Sequence, residues 1–265
     1  DWDREYSNGD AVPNAADYPA LWQERANAFR DSLAEDRLRV IDYGSAEREK
    51  TDLFLPQGMP EGLLVFVHGG YWHKFDRRYW SWLARGALAH GWAVAITGYT
   101  LCPQARVSEI SRQIRRSVSH AARYIPGPIR LAGHSAGGHL VARQICAGML
   151  EPQTAERVGG VISISGLHDL RPLLKTTMNQ ILGLDESEAE HESPALLAPA
   201  FGTELTCWVG ADELPEFRRQ NGLLGSWAAH GIARIEISQP GRNHFTVIDD
   251  LANPESELVA RALGL

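Results

Sequence analysis

Four groups of residues in this chain could do chemistry together. The most specific is Gly133-His134-Ser135-Ala136-Gly137. It lies between a strand-like run, Ile129 to Ala132, and a helix-like run, His139 to Arg143. A serine bracketed by glycines at a strand-to-helix turn fits a nucleophile elbow. The turn strains the serine backbone and packs the chain tightly on both sides, so only residues with little side chain fit beside it. Upstream, Gly69 and Gly70 follow His68 at the end of an apolar run. Glycines leave their N–H groups unobstructed, and these two, with the N–H of Ala136, would form an oxyanion hole. Downstream, Asp212 and Glu213 follow one strand-like run and His244 follows the last.

Each group alone has an ordinary reading. Gly-Gly can be a plain turn, acids in loops are usually solvated, and a loop histidine is more often structural than catalytic. Their order decides the matter: serine, acid, histidine, each after a strand, with the glycine pair upstream. That is the order of a Ser-His-acid triad on an α/β-hydrolase sheet. In such a triad neutral His244 would take the Ser135 proton, and an acid would fix the imidazole tautomer. Aspartate is the more usual acid. The Gly-x-x-acid spacing from Gly210 selects Glu213 instead, with Asp212 as the alternative. Competing chemistries fit poorly. The chain has no phosphate loop and no dinucleotide fingerprint. His68/His73 and His134/His139 lack the spacing and third ligand of a zinc site, so neither metal nor organic cofactor is expected.

The elements that must position these groups alternate along the chain. Strands are expected at Leu38–Ile41, 51–55, 63–67, 92–96, 129–132, 161–165, 205–209 and 233–237. The first two form an antiparallel edge pair, and Leu63 to Val67 is a central strand buried on both faces. Helices are expected near 19–34, 79–90, 107–124, 217–230 and 254–263. Residues 1–36 give an arm and a helix, and residues 167–203 form a cap-like insertion with two short helices. The whole is a single α/β domain over residues 1–265, with a mostly parallel sheet and helices on both faces.

Composition bounds the partners. The chain has 265 residues, 44% hydrophobic and 22% charged, enough for one full core. A net charge of −7 disfavours nucleic acid and anionic membranes. No apolar run approaches the roughly 20 residues needed to span a bilayer. The acidic start, Asp1 to Glu5, fits neither a signal nor a transit peptide. Cys102, Cys146 and Cys207 are far apart and odd in number, which suggests reduced thiols in a cytoplasmic protein. The expected partner is a small-molecule substrate, and a homodimer is left open.

Several stretches together resemble the kynurenine formamidase (arylformamidase) family, through nearly the whole chain. They are Tyr6-Ser7-Asn8, His68-Gly69-Gly70-Tyr71-Trp72, Gly133 to Leu140, Ser165 to Leu170, Val209-Gly210 with Pro215-Glu216-Phe217, and His244-Phe245. The elbow is shared with hormone-sensitive-lipase-like esterases, whereas Tyr71-Trp72 after His-Gly-Gly is more specific. The resemblance implies hydrolysis of N-formyl-L-kynurenine to kynurenine and formate, and it places the acid at Glu213. Tyr71 and Trp72 would then offer the aromatic leaving group a stacking surface, with core packing as the alternative for both, and the two readings of Trp72 stand level. Two alternatives stand beside this: a general short-chain carboxylesterase or thioesterase, and a non-catalytic ligand-binding homologue. The second typically loses the serine or histidine, and here both are present.

Overall fold

The computed structural model describes residues 1–265. All eight expected strands form: β1 Leu38–Asp42, β2 Lys50–Phe54, β3 Leu63–Val67, β4 Ala93–Thr97, β5 Ile129–His134, β6 Val158–Ile164, β7 Glu204–Gly210 and β8 Ala233–Gln239. They make one sheet in the order β1-β2-β4-β3-β5-β6-β7-β8. β1 runs antiparallel to β2 and β2 antiparallel to β4; every pairing from β4 to β8 is parallel.

Strand pleating explains the two apolar layers. Successive side chains point to opposite faces. Leu63, Val65 and Val67 of β3 enter one buried cluster with the helices Val107–Ala121 and Ala136–Gln144. Leu64 and Phe66 enter the other, with Trp22 and Phe29 of the helix Tyr18–Asp31 and Leu258 and Val259 of the last helix. A strand covered on both sides must be apolar at every position, and β3 is buried along its whole length.

The strand order reverses around β3, which has β4 on one side and β5 on the other. In open parallel sheets that switch point opens a crevice at the carboxyl ends of the strands. Here it brings the His68-Gly69-Gly70 loop after β3 beside the serine turn after β5.

Two expected helices are partly tighter 3₁₀ structure. Residues 77–83 are 3₁₀ before an α-helix at Ala84–Ala89. That stretch buries Trp80, Trp82 and Leu83 together, and bulky aromatics are poor α-helix formers. The expected helix at 217–230 is α only over Pro215–Gly222 and 3₁₀ over Leu223–His230, with Gly222 at the junction.

The insertion after β6 does two jobs. Thr177, Met178, Gln180 and Ile181 roof the crevice. The part beyond, with the helix Glu186–His191, braces the flank instead. There Glu188 accepts from Ser108 N–H at 2.9 Å, and Ser111 Oγ donates to Glu192 at 2.6 Å. The remaining roof is the N-terminal arm, where Asp3 and residues 6–9 line the same crevice.

Candidate active site

Ser135 follows the last residue of β5 and precedes the first residue of the helix Ala136–Gln144. Its backbone is left-handed, with φ 57° and ψ −119°. A serine pays strain for that conformation, and the surroundings must hold it there. They do so by close approach. A Cβ on Gly133 would strike the Gly137 carbonyl, and one on Gly137 would strike the Val67 carbonyl. Ser135 N–H donates to Ile164 O at 2.8 Å, which ties the turn to β6.

The Gly69-Gly70 loop crosses directly above this turn. A Cβ on Gly69 would lie 2.9 Å from Ser135 Cβ and 2.8 Å from His134 O. The N–H groups of Gly69, Gly70 and Ala136 donate to no protein acceptor, although nearly all buried N–H groups in proteins are paired. His68 braces the loop from behind. Its Nδ1 donates to Gly69 O at 2.8 Å, and its ring stacks on Tyr99 at 4.4 Å. Burial pushes the His68 pKa down to about 4, so it stays a neutral brace.

His244 is nearly fully buried, between the Phe217 ring at 4.4 Å and the His134 ring at 4.7 Å. Its Nδ1 lies 2.7 Å from Glu213 Oε2. Glu213 Oε1 accepts from Ser165 Oγ at 2.5 Å and from Gly210 N–H at 2.8 Å. Nδ1 is thereby occupied as a donor, and Nε2 is the nitrogen left for chemistry. Asp212, one residue earlier in the chain, is exposed and bonds through its backbone N–H to Arg242 O. His134 Nε2 donates to His244 O at 2.9 Å. Burial, reinforced by repulsion from His244, holds the His134 pKa well below its usual value. It therefore adds no positive charge beside a His244 that would itself become charged.

Ser135 and His244 line a cavity of about 580 Å³, together with Gly69, Gly70 and Tyr71. Trp22, Phe75, Trp80 and Phe245 form its aromatic wall. Trp22 packs on Trp80 at 4.8 Å, on Phe245 at 5.3 Å and on Phe75 at 5.6 Å. Tyr71 Oη donates to Tyr6 O at 2.6 Å, which joins the loop after β3 to the arm.

At Trp72 the core-packing alternative holds. Trp72 is fully buried, lies outside the cavity and donates its indole N–H to His139 Nδ1 at 3.3 Å. Tyr71 and Trp72 are both left-handed, with φ 49° and 58°. Those two residues turn the chain so that Tyr71 meets the cavity while Trp72 enters the core. The aromatic surface comes instead from Trp22, Phe75, Trp80 and Phe245. Trp22 carries a helical core signal in sequence, and nothing in its spacing marks the second contact. Ser165 is a further member of the Glu213 network, and its signals in sequence are its position just past the end of β6, the strand beside β5, and its place in the Ser165–Leu170 stretch.

The family model BD-FAE matches residues 51–199, more than half of the chain. The chain belongs to the BD-FAE family. It is 28% identical to a kynurenine formamidase of Danio rerio, over 91% of this chain and 83% of that protein. It is 30% identical to a kynurenine formamidase of Drosophila melanogaster, over 86% of this chain and 80% of that protein. A crystal structure from Silicibacter sp. TM1040, provisionally described as a thioesterase, superposes with a TM-score of 0.95 at 47% identity and covers 99% of both chains. The chain is a kynurenine formamidase-like α/β hydrolase, an enzyme of formamidase or esterase type. No helix is long and apolar enough to cross a membrane.

Proposed function

We propose that the chain is a single-domain serine hydrolase that cleaves a small acyl amide, an aryl formamide such as N-formyl-L-kynurenine, to an aromatic amine and formate. The observation that carries this reading is the meeting of Ser135, a Glu213-bound His244 and three unpaired N–H groups at one end of an aromatic-walled cavity. The named relatives support the choice of substrate class. Three buried thiols without a disulfide support a cytoplasmic compartment.

Ser135 Oγ attacks the formyl carbon as His244 Nε2 takes its proton. The negative oxygen settles on the N–H groups of Gly69, Gly70 and Ala136. His244 returns the proton to the leaving nitrogen, and the C–N bond breaks. Water then attacks the formyl-serine and gives its proton to His244, which passes it to Ser135 Oγ as the acyl C–O bond breaks and formate leaves. Glu213 fixes the imidazole tautomer and stabilises the imidazolium in both halves. Formyl is the smallest acyl group and needs no deep acyl pocket, so most of the cavity is free for the aromatic amine. Tyr71 and the Trp22–Phe245 side of the wall take its ring.

The second reading is a short-chain esterase or thioesterase, favoured by the description of the 47% identical structure. A kcat/KM panel decides between them, using N-formylkynurenine, formyl-anilides, and oxygen and thiol esters of rising acyl length. The formamide reading requires formyl-anilides to exceed butyryl esters. Longer acyl esters or thioesters ahead by more than about tenfold, or roughly 1.4 kcal/mol of transition-state binding, would make the second reading the better one. Ser135→Ala serves as the blank, with kcat lower by a factor on the order of 10⁶.

A further inference from the structure

We propose that Trp72 and His139 form a buried strut that holds the oxyanion loop in register with the nucleophile, so that both act as positioning residues. The inference rests on reading Gly69, Gly70 and Ala136 as the oxyanion donors.

His139 lies on the helix that begins just after Ser135, and its backbone N–H donates to Ser135 O at 3.1 Å. Its ring therefore moves with the nucleophile. The tautomer is fixed from outside: Nε2 lies 2.7 Å from the carbonyl oxygen of Glu192 in the insertion and must donate to it. That leaves Nδ1 as an acceptor, and the Trp72 indole N–H fills it at 3.3 Å, with the rings edge to face at 5.2 Å. Both side chains are fully buried. Burial pushes the His139 pKa down to about 3, so the acceptor stays unprotonated at working pH.

At the other end of the strut the loop needs holding. Gly70, Tyr71 and Trp72 are consecutive residues with positive φ, at 105°, 49° and 58°. Two L-residues in succession in that region persist only where the surroundings over-determine them. The backbone of Trp72 is pinned by Cys102 N–H, which donates to Trp72 O at 2.8 Å. The indole carries the link onward to the nucleophile helix. Oxyanion donors act only when they sit at hydrogen-bond distance from the developing charge. A strut of fixed length between loop and helix sets that distance. The residue that the sequence suggests as a stacking surface thus acts from behind the site.

The test is a kinetic cycle on the full chain, with nitrophenyl acetate as substrate. A fluorophosphonate that labels the serine counts active sites, so kcat refers to folded enzyme. Trp72→Phe keeps an aromatic ring and removes the N–H. The expected result is a kcat loss on the order of 10- to 100-fold, with KM within about twofold. Phenylboronic acid, which places an oxygen in the oxyanion site, should lose affinity by a similar factor. His139→Leu should show the same loss, and adding Trp72→Phe to it should cost little more. His139→Gln retains an acceptor for Trp72 and a donor for Glu192 O, and should recover most of kcat. A merely structural pair would lower the melting temperature and leave kcat per labelled site and boronate affinity alone. That outcome, or additive losses in the double variant, overturns the strut. If the wild type neither labels nor binds boronate, the oxyanion reading falls and the strut falls with it. If the wild type does both and Trp72→Phe is unchanged, only the strut falls.

Discussion

Glu213 Oε2 lies 2.7 Å from His244 Nδ1, while the adjacent Asp212 side chain stands in solvent. Two neighbouring acids therefore have opposite environments. Glu213 is buried with both oxygens occupied; Asp212 lies one residue earlier, outside that network. Glu213→Gln should keep the shape but unsettle the imidazole tautomer, with a kcat loss on the order of 10⁴ near neutral pH. Asp212→Asn should stay within about threefold, in line with a surface substitution. Steady-state kinetics of the two variants, side by side, check this. A reversed ranking would return the role to Asp212.

Ser165 should matter through Glu213. Its φ of 52° aims Oγ at Glu213 Oε1, 2.5 Å away. A hydrogen bond to a charged group contributes about 1.5 to 3 kcal/mol, so its loss should cost at least about tenfold in kcat. Ser165→Ala and Ser165→Gly separate the hydroxyl from the backbone, because glycine relieves the left-handed strain and alanine does not. Equal losses in both would assign the effect to the hydroxyl. A glycine variant at wild-type kcat would show that the hydroxyl does not hold Glu213 for catalysis.

The sequence carries the sheet almost completely, because strands buried on both faces read as apolar runs, as β3 does throughout and β4 does up to Thr97. It carries the elbow because close approach at Gly133 and Gly137 excludes side chains. Spacing after Gly210 also separates Glu213 from Asp212. The sequence does not carry the direction of Trp72. That depends on two successive left-handed residues whose strain is held by partners far along the chain, Cys102 and His139. It does not carry the aromatic wall either. Trp22 buries one side in a helix–sheet contact and shows another to the cavity, and helical spacing records only the first. The 3₁₀ stretch at 77–83 has the same character, since its form follows from packing three large side chains together.

The roof of the cavity has a clasp between the arm and the insertion. Asp3 Oδ1 accepts from both Thr177 N–H, at 2.7 Å, and Thr177 Oγ1, at 3.0 Å. Two partly exposed hydrogen bonds should together contribute about 1 kcal/mol. Asp3→Ala should therefore raise KM for a formyl-anilide by about fivefold and leave kcat nearly unchanged, because the clasp lies away from the reacting atoms. Nitrophenyl acetate, too small to reach the roof, should show little change. An equal KM increase for both substrates would indicate a general loosening of the site rather than an open roof.

Acid should destabilise this protein first through its buried histidines. Burial pushes His68 and His168 down to about 4 and His139 to about 3. In the unfolded chain each titrates near about 6.5. These are bases with depressed folded pKa values. Below about pH 6.5 the unfolded chain takes up protons that the folded chain refuses, and stability falls as pH falls. The slope reaches about 1.4 kcal/mol per pH unit for each group, and levels off only near pH 4 to 3, where the folded residues also protonate. Glu188 acts lower. At Glu188 burial works upward, but the Arg106 and Ser108 hydrogen bonds outweigh it and hold the pKa below its ordinary value. Its contribution is lost only below about pH 4.5. Urea midpoints measured from pH 7 to 5 should therefore drop steeply, in a window above the one in which Glu188 loses its contribution. His168→Gln, which can still bond to Ser163 and Gln220 O, should flatten that slope by about one proton. A midpoint constant from pH 7 to 5 would mean that the buried histidines take up protons in the folded state.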